Sequence, residues 1–400
     1  MRILPRIAVA ALLAAGPIEA QAADSVNLLA ADRIAALPAA ERQAWERYLE
    51  TSRRQRAIDA ESLASEVRAA GLRVPIPAPS GPDAGDNVVS PQRYRTDEAR
   101  RTAETIVSYQ TPSGGWSRGV AAAEPRRPGQ AYTPPSPRSA GGPDVRTTAD
   151  RLRYLMRADA AGPDERYRRA FLRGVEYLLR AQLPNGCWPL VYPLMGTDTD
   201  AVAFSDEAAM LVLRQLHDVG RGAAAFVPDP VRRRAGQSVA RGVDCVLRAQ
   251  VMVDGRRTGW GARHDPLTLA PVATAGHLRA LSAWDTPDVL EYLLETDMGD
   301  PRVAASVRGA AAWLREATLW GIEHSPEMRP MSVPGAGPIW AHYYEIGSNR
   351  TLYAGHGEVR HDWRELPDTL WGLGWFTYEP SLELMRYDRW AGAQASIPLP

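Results

Sequence analysis

The sequence predicts an all-α protein: a helical toroid, or incomplete α/α barrel, with long loops that line a cleft. The first basis is a recurring phrase, a helix-like run followed by glutamine and by a turn that ends in glycine and tryptophan. The phrase occurs at 110–116 and 182–188, in looser form at 250–260, and as a shorter copy without the turn at 308–315. The second basis is the spacing of 67 to 72 residues between copies, which exceeds that of the common two-helix solenoids. Two helices plus long loops fit this period.

Each part of the recurring turn has a structural explanation. Glycine after a helix adopts the left-handed conformation that ends it, and the proline of the first two copies cannot continue a helix. Glutamine can bond exposed backbone groups of the turn, and tryptophan can pack back over the helix end. We therefore expect the turns to be structural. Trp116, which precedes a long loop, is also a candidate for stacking on a sugar ring.

The N-terminus has the three parts of a secretory signal. Arg2 and Arg6 give a basic start, Ile7–Ala15 form an apolar core, and Ala20–Ala22 provide a small-residue cleavage site. The apolar run is too short to span a bilayer. We expect cleavage after Ala22 and a secreted or periplasmic protein.

Four regions follow one another along the chain. They are a signal peptide at 1–22, an N-terminal helical segment at 23–73, a Pro-rich linker at 74–92 and the toroid at 93–390. Apolar residues at helical spacing predict toroid helices near 147–158, 164–182, 204–219, 229–250, 286–296 and 303–319. A stretch rich in Gly, Pro and Ser at 118–143 follows the first Gly-Trp turn, and its length makes it a candidate wall of the binding cleft.

The charge balance argues against a nucleic-acid partner. The chain has 47 basic and 47 acidic residues and contains no lysine, so every basic residue is arginine. Nucleic-acid binding favours a basic face, and no stretch after the signal is apolar for long enough to span a membrane. We expect a monomer that binds neither. Any cationic contact to a carboxylate must come from arginine, which can bind it bidentately.

The cysteines and the common catalytic motifs give little evidence about the function of the protein. Cys187 and Cys245 are the only cysteines, and both lie near repeat turns. Export permits a disulfide between them, but the sequence leaves their pairing open. Two cysteines do not support a cysteine-based metal site. The chain has no Gly-rich phosphate loop, His-Glu-x-x-His zinc motif or Gly-x-Ser-x-Gly elbow.

Acidic and polar residues cluster after the repeat turns. The clusters are Asp144, Asp198 with Asp200, Asp206 with Glu207, His264 with Asp265, and the segment 342–350. A carboxylate at a helix start is ordinarily a cap. A toroid would nevertheless bring three of these clusters to one end of the barrel, and oxygen ligands from separate loops suit Ca²⁺. Asp144, Asp200 and Asp206 are therefore the candidate calcium ligands.

Several of these segments together resemble the pectate lyases of polysaccharide lyase family 10. The similar runs are Gln110–Trp116, Pro125–Gln130, Asp164–Pro189, Cys245–Pro266 and Tyr344–Arg350. The resemblance covers roughly residues 92–380. It implies an (α/α)₃ toroid, a requirement for Ca²⁺, and eliminative cleavage of polygalacturonate.

The resemblance also implies roles for single residues. Asp144 and Asp206 match family aspartates in altered surroundings, and His264, Asp265, Asn349 and Arg350 match well. The first two would help to bind Ca²⁺, and the other four would bind substrate, with Arg350 and His264 holding the uronate.

The family's presumed catalytic arginine falls at Ala275. Arg279 lies four residues further on, and a helix here would place it one turn away, within reach of the same space. Arg279 is therefore the candidate base. That role is demanding, because a free guanidinium is protonated at any ordinary pH and a base must accept a proton.

The predicted function is Ca²⁺-dependent β-elimination of polygalacturonate by an exported pectate-lyase-like protein. In that reaction a proton leaves the carbon next to a uronate carboxylate, and Ca²⁺ bound to the carboxylate makes that proton more acidic. The loss of arginine at 275 supports a second hypothesis, a non-catalytic family member that binds an acidic polysaccharide. A glycoside hydrolase that uses Asp206 and Glu207 is disfavoured, because adjacent helical residues point about 100° apart.

Overall fold

The computed structural model describes residues 27–81, 91–121, 123–135, 141–204, 208–296, 299–325, 328–355, 358–367 and 374–395. The predicted signal peptide and Asp206 lie outside these ranges. The helices are α1 (Ala31–Ala35), α2 (Ala39–Ala69), α3 (Asp97–Ser108), α4 (Val145–Ala161), α5 (Glu165–Ala181), α6 (Ala209–Gly220), α7 (Asp229–Ala249), α8 (Thr286–Glu295), α9 (Pro301–Glu316) and α10 (Glu379–Ala395).

Three successive helix pairs build the body of the protein. Helix α4 packs on α5, α6 on α7 and α8 on α9, while α4, α6 and α8 touch one another in turn, as do α5, α7 and α9. Helix α6 is buried along most of its length, whereas α5 buries one face at helical spacing, from Tyr167 to Leu178. These patterns place α6 in an inner layer and α5 in an outer layer. The predicted α/α toroid is confirmed.

The glutamine of each turn joins one repeat unit to the next. Its Nε2 donates to a carbonyl of its own turn and to a carbonyl of the outer helix that follows, at 2.7–2.9 Å. The bonds run from Gln110 to Gly114 and Ala170, from Gln182 to Gly186 and Ser238, and from Gln250 to Thr258 and Ser306. The structural explanation of the motif therefore holds in all three copies.

The tryptophan of each turn caps the helix before it. The indole N–H groups donate to helix carbonyls at 2.6–2.9 Å, in the pairs Trp116–Ile106, Trp188–Leu178 and Trp260–Val246. Trp340 makes the same bond to Leu314, at 2.6 Å. The fourth copy, which lacks an adjacent turn in the sequence, therefore has its tryptophan after an inserted hairpin.

The two cysteines form a disulfide. Cys187 follows the glycine of the second turn, and Cys245 lies on α7. Their Cα atoms are 5.5 Å apart, a separation ordinary for a disulfide. The bond ties the second turn to the outer helix of the next unit, parallel to the glutamine bonds. It answers the question of pairing that the sequence left open.

Short strands connect the loops. They are β1 (Trp116–Ser117), β2 (Pro143–Asp144), β3 (Met252–Val253), β4 (Arg256–Arg257), β5 (Leu281–Ser282), β6 (Ile322–Ser325), β7 (Met328–Ser332), β8 (Trp340–Ala341), β9 (Tyr343–Tyr344), β10 (Thr351–Gly355), β11 (Glu358–Arg360) and β12 (Phe376–Thr377). The largest sheet has the order β11-β10-β9-β5 and is antiparallel. The other pairs are β1–β2, β3–β4, β6–β7 and β8–β12.

Helix α2 lies across the first two repeat units. The Tyr48 hydroxyl donates to the Ala181 carbonyl at 2.8 Å, and the Leu194 amide donates to Ser52 at 2.8 Å. Asp59 accepts a hydrogen bond of 2.7 Å from the amide of Ser113, in the first turn. These contacts attach the N-terminal segment to the toroid. None of the helices in the part of the chain that the structure describes has the length and hydrophobicity of a transmembrane span.

The described part of the 118–143 stretch is held by the N-terminal segment. Its backbone pairs with residues 76–81, through bonds that include Ile76 to Gly129 and Gly81 to Gly119. The Arg126 guanidinium stacks over the Tyr132 ring at 3.6 Å and pairs with Glu66 of α2 at 2.5 Å. Burial acts to raise the pKa of Glu66, but its hydrogen bonds with Arg126 and the Gly129 amide outweigh burial and lower that pKa.

Candidate functional site

Backbone bridges bring the loops after the repeat turns side by side. Asp144 bridges to Val191, Pro189 to Val202, Val202 to His264, and His264 to Pro271. Strand β5, which follows, pairs with β9. We call the segments 141–144, 189–204, 261–282 and 342–350 the cleft loops. Polar residues that are far apart in the sequence therefore lie along one edge of the toroid.

A tight hairpin lies in the third cleft loop. Thr274 bridges to His277, and Ala275 and Gly276 form its tip. Asp198, from the loop after the second turn, accepts a hydrogen bond of 3.0 Å from the Ala275 amide. The helix that would have placed Arg279 one turn from Ala275 is not formed, so that premise is wrong. Arg279 is exposed beyond the hairpin.

Asp144 and Asp200, the two predicted calcium ligands within the described residues, both accept hydrogen bonds from backbone amides. Asp144 caps α4, with Oδ1 accepting from the Thr147 amide at 2.7 Å. Asp200 is 1% exposed, and its two oxygens accept from the amides of Met195 and Gly196 at 2.9 and 2.8 Å. The described residues contain no group of three or more His, Cys, Asp or Glu that could hold a metal. Asp200 thus holds a turn through both of its carboxylate oxygens.

Two of the predicted substrate-binding residues are in the core. Trp116 is 2% exposed, so its ring has no open face for a sugar to stack on. His264 is fully buried; its Nδ1 bonds the Leu269 carbonyl at 2.7 Å and its Nε2 accepts from the Gly261 amide at 2.9 Å. Burial lowers the pKa of His264 to about 4, which keeps the ring neutral. Both placements favour structural roles.

Asp265 is also committed to internal contacts. It is 7% exposed, accepts from the amides of Leu267 and Thr268, and pairs with Arg33 of α1 at 2.6 Å. These bonds hold the loop after the third turn against the N-terminal segment. Its predicted contact with substrate would compete with Arg33.

Asn349 and Arg350 lie in the turn between β9 and β10. Asn349 has a φ of 56°, and its Oδ1 accepts from the Trp313 indole at 2.9 Å. The Arg350 side chain is exposed, while its carbonyl accepts from the Glu345 amide at 2.8 Å. Of the predicted substrate-binding residues, Arg350 is the one whose charged group faces solvent.

A second group of aromatic and titratable residues stands beside the hairpin. The His342 ring stacks on Tyr343 at 3.9 Å and lies 5.2 Å from Trp284, which is 42% exposed. His342 Nε2 is 3.9 Å from Asp285 Oδ2, and Asp285 also accepts from Ser282 at 2.5 Å. The sequence pattern points to 342–350 but not to Trp284 and Asp285, whose only signal is their position shortly after β5.

The charges in this group influence one another. Burial acts to raise the pKa of Asp285, but the nearby His342 ring and the hydrogen bond from Ser282 outweigh burial and lower that pKa. Burial lowers the pKa of His277, and the nearby Arg263 cation lowers it further. The Asp285 carboxylate is thus charged, and the His277 imidazole is neutral near pH 7.

Comparisons with known proteins agree with this architecture. A family model described as pectic acid lyase matches residues 93–376. Two solved structures of a family 10 polysaccharide lyase from Cellvibrio cellulosa are similar, one of them a mutant in complex with trigalacturonic acid. The mutant is 23% identical with a TM-score of 0.64, and the other structure is 24% identical with a TM-score of 0.62. Each match covers 75% of this chain and 95% of the other. A search of curated proteins gives no match.

Proposed function

Because the chain belongs to the pectic acid lyase family, we propose that it is an exported, Ca²⁺-dependent lyase that cleaves polygalacturonate by β-elimination. The observation that carries this proposal is the family match, which spans the toroid and every cleft loop. The match supports a lyase acting on polysaccharide, and the similar Cellvibrio cellulosa structure with trigalacturonic acid supports a galacturonate substrate.

The surface of the cleft loops supports an anionic sugar chain as substrate. Arg279 and Arg350 are exposed there, and Arg263 is half-buried with its charge acting on His277. Guanidinium groups bind carboxylates bidentately, and the exposed Trp284 ring offers an apolar face to a sugar. Arginines would hold uronate groups while Trp284 supports the ring between them.

The chemistry requires a base next to a held carboxylate. The proton on C5 of a galacturonate unit becomes acidic when the neighbouring carboxylate is neutralised, because the electrons left on carbon spread onto its oxygens. Bound Ca²⁺ would supply part of this neutralisation. Asp144 and Asp206 are the proposed ligands. Asp206 lies outside the described residues, and both oxygens of Asp200 accept backbone hydrogen bonds.

A second candidate function rests on Ala275. Where the family's presumed base is arginine, this chain has a methyl group at the tip of a hairpin. A non-catalytic protein that binds acidic polysaccharide would use the same arginines without elimination. The variant Ala275→Arg separates the two functions, because it would create activity only in a cleft that already binds and aligns the substrate.

The deciding experiment uses the mature chain with polygalacturonate, with Ca²⁺ and then with a chelator. We expect the ultraviolet absorbance of the unsaturated product to rise, and the rise to stop on chelation. Arg350→Ala should raise KM, with Arg389→Ala, an exposed arginine on α10, as the matched control. Saturable binding without product at high enzyme concentration would instead establish the non-catalytic function.

A further inference from the structure

His277 closes the hairpin whose tip falls at the family's arginine position, and the charges of Arg263, His342 and Asp285 act on it. We call His277, His342, Asp285 and Arg263 the imidazole cluster. We propose that His277 is the base that removes the substrate proton, so that an imidazole does the work for which the family's arginine is missing here. This inference rests on the proposed lyase function and names the residue that performs its first step.

The hydrogen bonding of His277 leaves one ring nitrogen ready to accept a proton. Its Nδ1 lies 3.1 Å from the carbonyl oxygen of Ala275. A carbonyl only accepts hydrogen bonds, so Nδ1 must carry the hydrogen, and in the neutral ring Nε2 keeps its lone pair. The bond therefore fixes the tautomer that a base requires. It also ties the imidazole to the residue that occupies the arginine position.

The backbone around His277 is held from two sides. On one side, Asp198 accepts from the Ala275 amide at 3.0 Å. On the other, strand β5, which follows the hairpin, pairs with β9, where the Tyr343 ring stacks on His342. Cleft loops from three parts of the chain thus fix the hairpin, which gives a base the positional restraint that catalysis needs.

The surrounding charges keep His277 neutral. Burial lowers its pKa, and the Arg263 and His342 charges act in the same direction, while the Ala275 carbonyl and Asp285 act in the opposite direction. The net effect is a lowered pKa. A neutral imidazole can accept a proton near pH 7, whereas a guanidinium must first lose one.

The proposed step balances without any further reactant. The C5 proton moves to Nε2 of His277, the C–H electron pair becomes the C4=C5 double bond, and the C4–O bond breaks with its electrons on oxygen. That oxygen takes a proton from water, and the imidazolium returns its proton to the resulting hydroxide. Arg263 would pair with the uronate carboxylate and stabilise the charge that develops there.

His342 and Asp285 would act as positioning residues. Asp285 is buried and charged, and His342 lies between it and the exposed Trp284 ring, with Nε2 3.9 Å from Asp285 Oδ2. A buried carboxylate can orient a neighbouring imidazole. His342 would therefore help to position the substrate without removing the proton itself.

The first test compares His277→Gln with His217→Gln in the mature, full-length chain. His217 is a half-buried histidine at the end of α6 and serves as the matched control. We expect His277→Gln to lower kcat by about 100-fold or more, with KM and polygalacturonate affinity changed by less than about threefold. The control should stay at the wild-type rate, and His342→Gln should lose about tenfold.

The pH profile and chemical rescue give readouts that a structural role would not move. Wild-type kcat/KM should rise with pH as His277 loses its proton, and this limb should vanish from the residual activity of His277→Gln. Added imidazole should restore part of the rate to His277→Ala. Circular dichroism of both variants checks that the chain has folded.

Two results would overturn the proposal in distinguishable ways. If the wild type forms no unsaturated product, the lyase function fails and the base assignment fails with it. If the wild type is active and folded His277→Gln keeps its rate and pH limb while Arg279→Ala loses both, the lyase function stands and His277 is not the base.

Discussion

The repeat turns and the cleft loops of this protein are adjacent, but they differ in whether their contacts repeat from one unit to the next. In the turns, the same glutamine and tryptophan bonds recur three times at nearly the same lengths. In the cleft loops, each contact occurs once, such as the bond from the Ala275 amide to Asp198 and the bridge between His264 and Pro271. The turns fix a scaffold, and the loops are free to carry different chemistry on it.

The comparison teaches where substitutions should be costly. A residue of the turns supports two repeat units at once, so its loss should lower the stability of the whole fold. A residue of the cleft loops should alter activity first, unless it is buried as His264 is. Four predictions test this division.

The disulfide should be the largest single contribution from the turns. Replacing both cysteines in Cys187→Ala/Cys245→Ala should lower the free energy of unfolding by about 4 kcal/mol, because the bond closes a long loop in the unfolded chain. Denaturant unfolding without reductant measures it. Either single variant should lose a similar amount, and a loss below about 1 kcal/mol would contradict a major role for the bond.

His264 should make the cleft loops sensitive to acid. Its folded pKa is about 4 against an ordinary 6.5, so between these values the unfolded chain binds a proton that the folded chain refuses. Stability should therefore fall as the pH drops from 6.5 to 4, by about 3 kcal/mol from this residue.

Denaturant unfolding at several pH values measures this slope. His264→Gln removes the titrating ring, and its stability should vary less with pH than that of the wild type. Parallel curves for the two proteins would show that His264 already titrates normally in the folded state.

Gly242 on α7 should not tolerate even a methyl group. A Cβ there would lie 2.6 Å from the Trp188 ring and 2.7 Å from Leu213, so Gly242→Ala should cost about 2 kcal/mol despite the better helix propensity of alanine. A Cβ at Gly236 on the same helix would have no neighbouring atom within 4 Å. Gly236→Ala should therefore stabilise the fold by about 0.5–1 kcal/mol. Thermal unfolding of both variants tests the contrast; equal effects would deny the close packing of the tryptophan.

Gly276 in the cleft loops should be more tolerant. Its Cβ position is open, but its φ of 77° is unfavourable for other residues, so Gly276→Ala should cost about 1 kcal/mol. Gly276→Asn, which accepts this conformation more readily, should cost less. The free energies of unfolding of the two variants measure these costs. The loss of activity should exceed what the loss of stability explains, because the tip carries the Ala275 carbonyl. A larger loss of stability than in Gly242→Ala would reverse the comparison.

The sequence predicted the turns well because periodicity and end signals act locally. The helices expected at 164–182 and 229–250 are found at Glu165–Ala181 and Asp229–Ala249. The role of glutamine followed from the general ability of side chains to bond turn backbone, and the structure adds its second partner in the next unit. Repetition made each copy evidence for the others.

The cleft loops were predicted less well because their contacts are not periodic. The sequence does not distinguish an aspartate that binds metal from one that holds a turn. The two backbone bonds of Asp200 depend on a turn geometry that residue spacing does not reveal. The long loop after Trp116 favours a role in sugar stacking, yet the Trp116 ring caps the helix before it. The pairing of β5 with β9 brings together His277, Asp285 and His342, and the sequence alone does not reveal that pairing.

The glutamine bonds also bear on how such a chain can change its length over evolution. Each amide binds a carbonyl 56 or 60 residues ahead, so a break within a unit separates a donor from its acceptor. A duplication or deletion of one whole unit would leave every amide facing an equivalent carbonyl. The glutamine bond makes point changes in the turns destabilising. The same bond allows an entire repeat unit to be inserted or lost with little effect on the others.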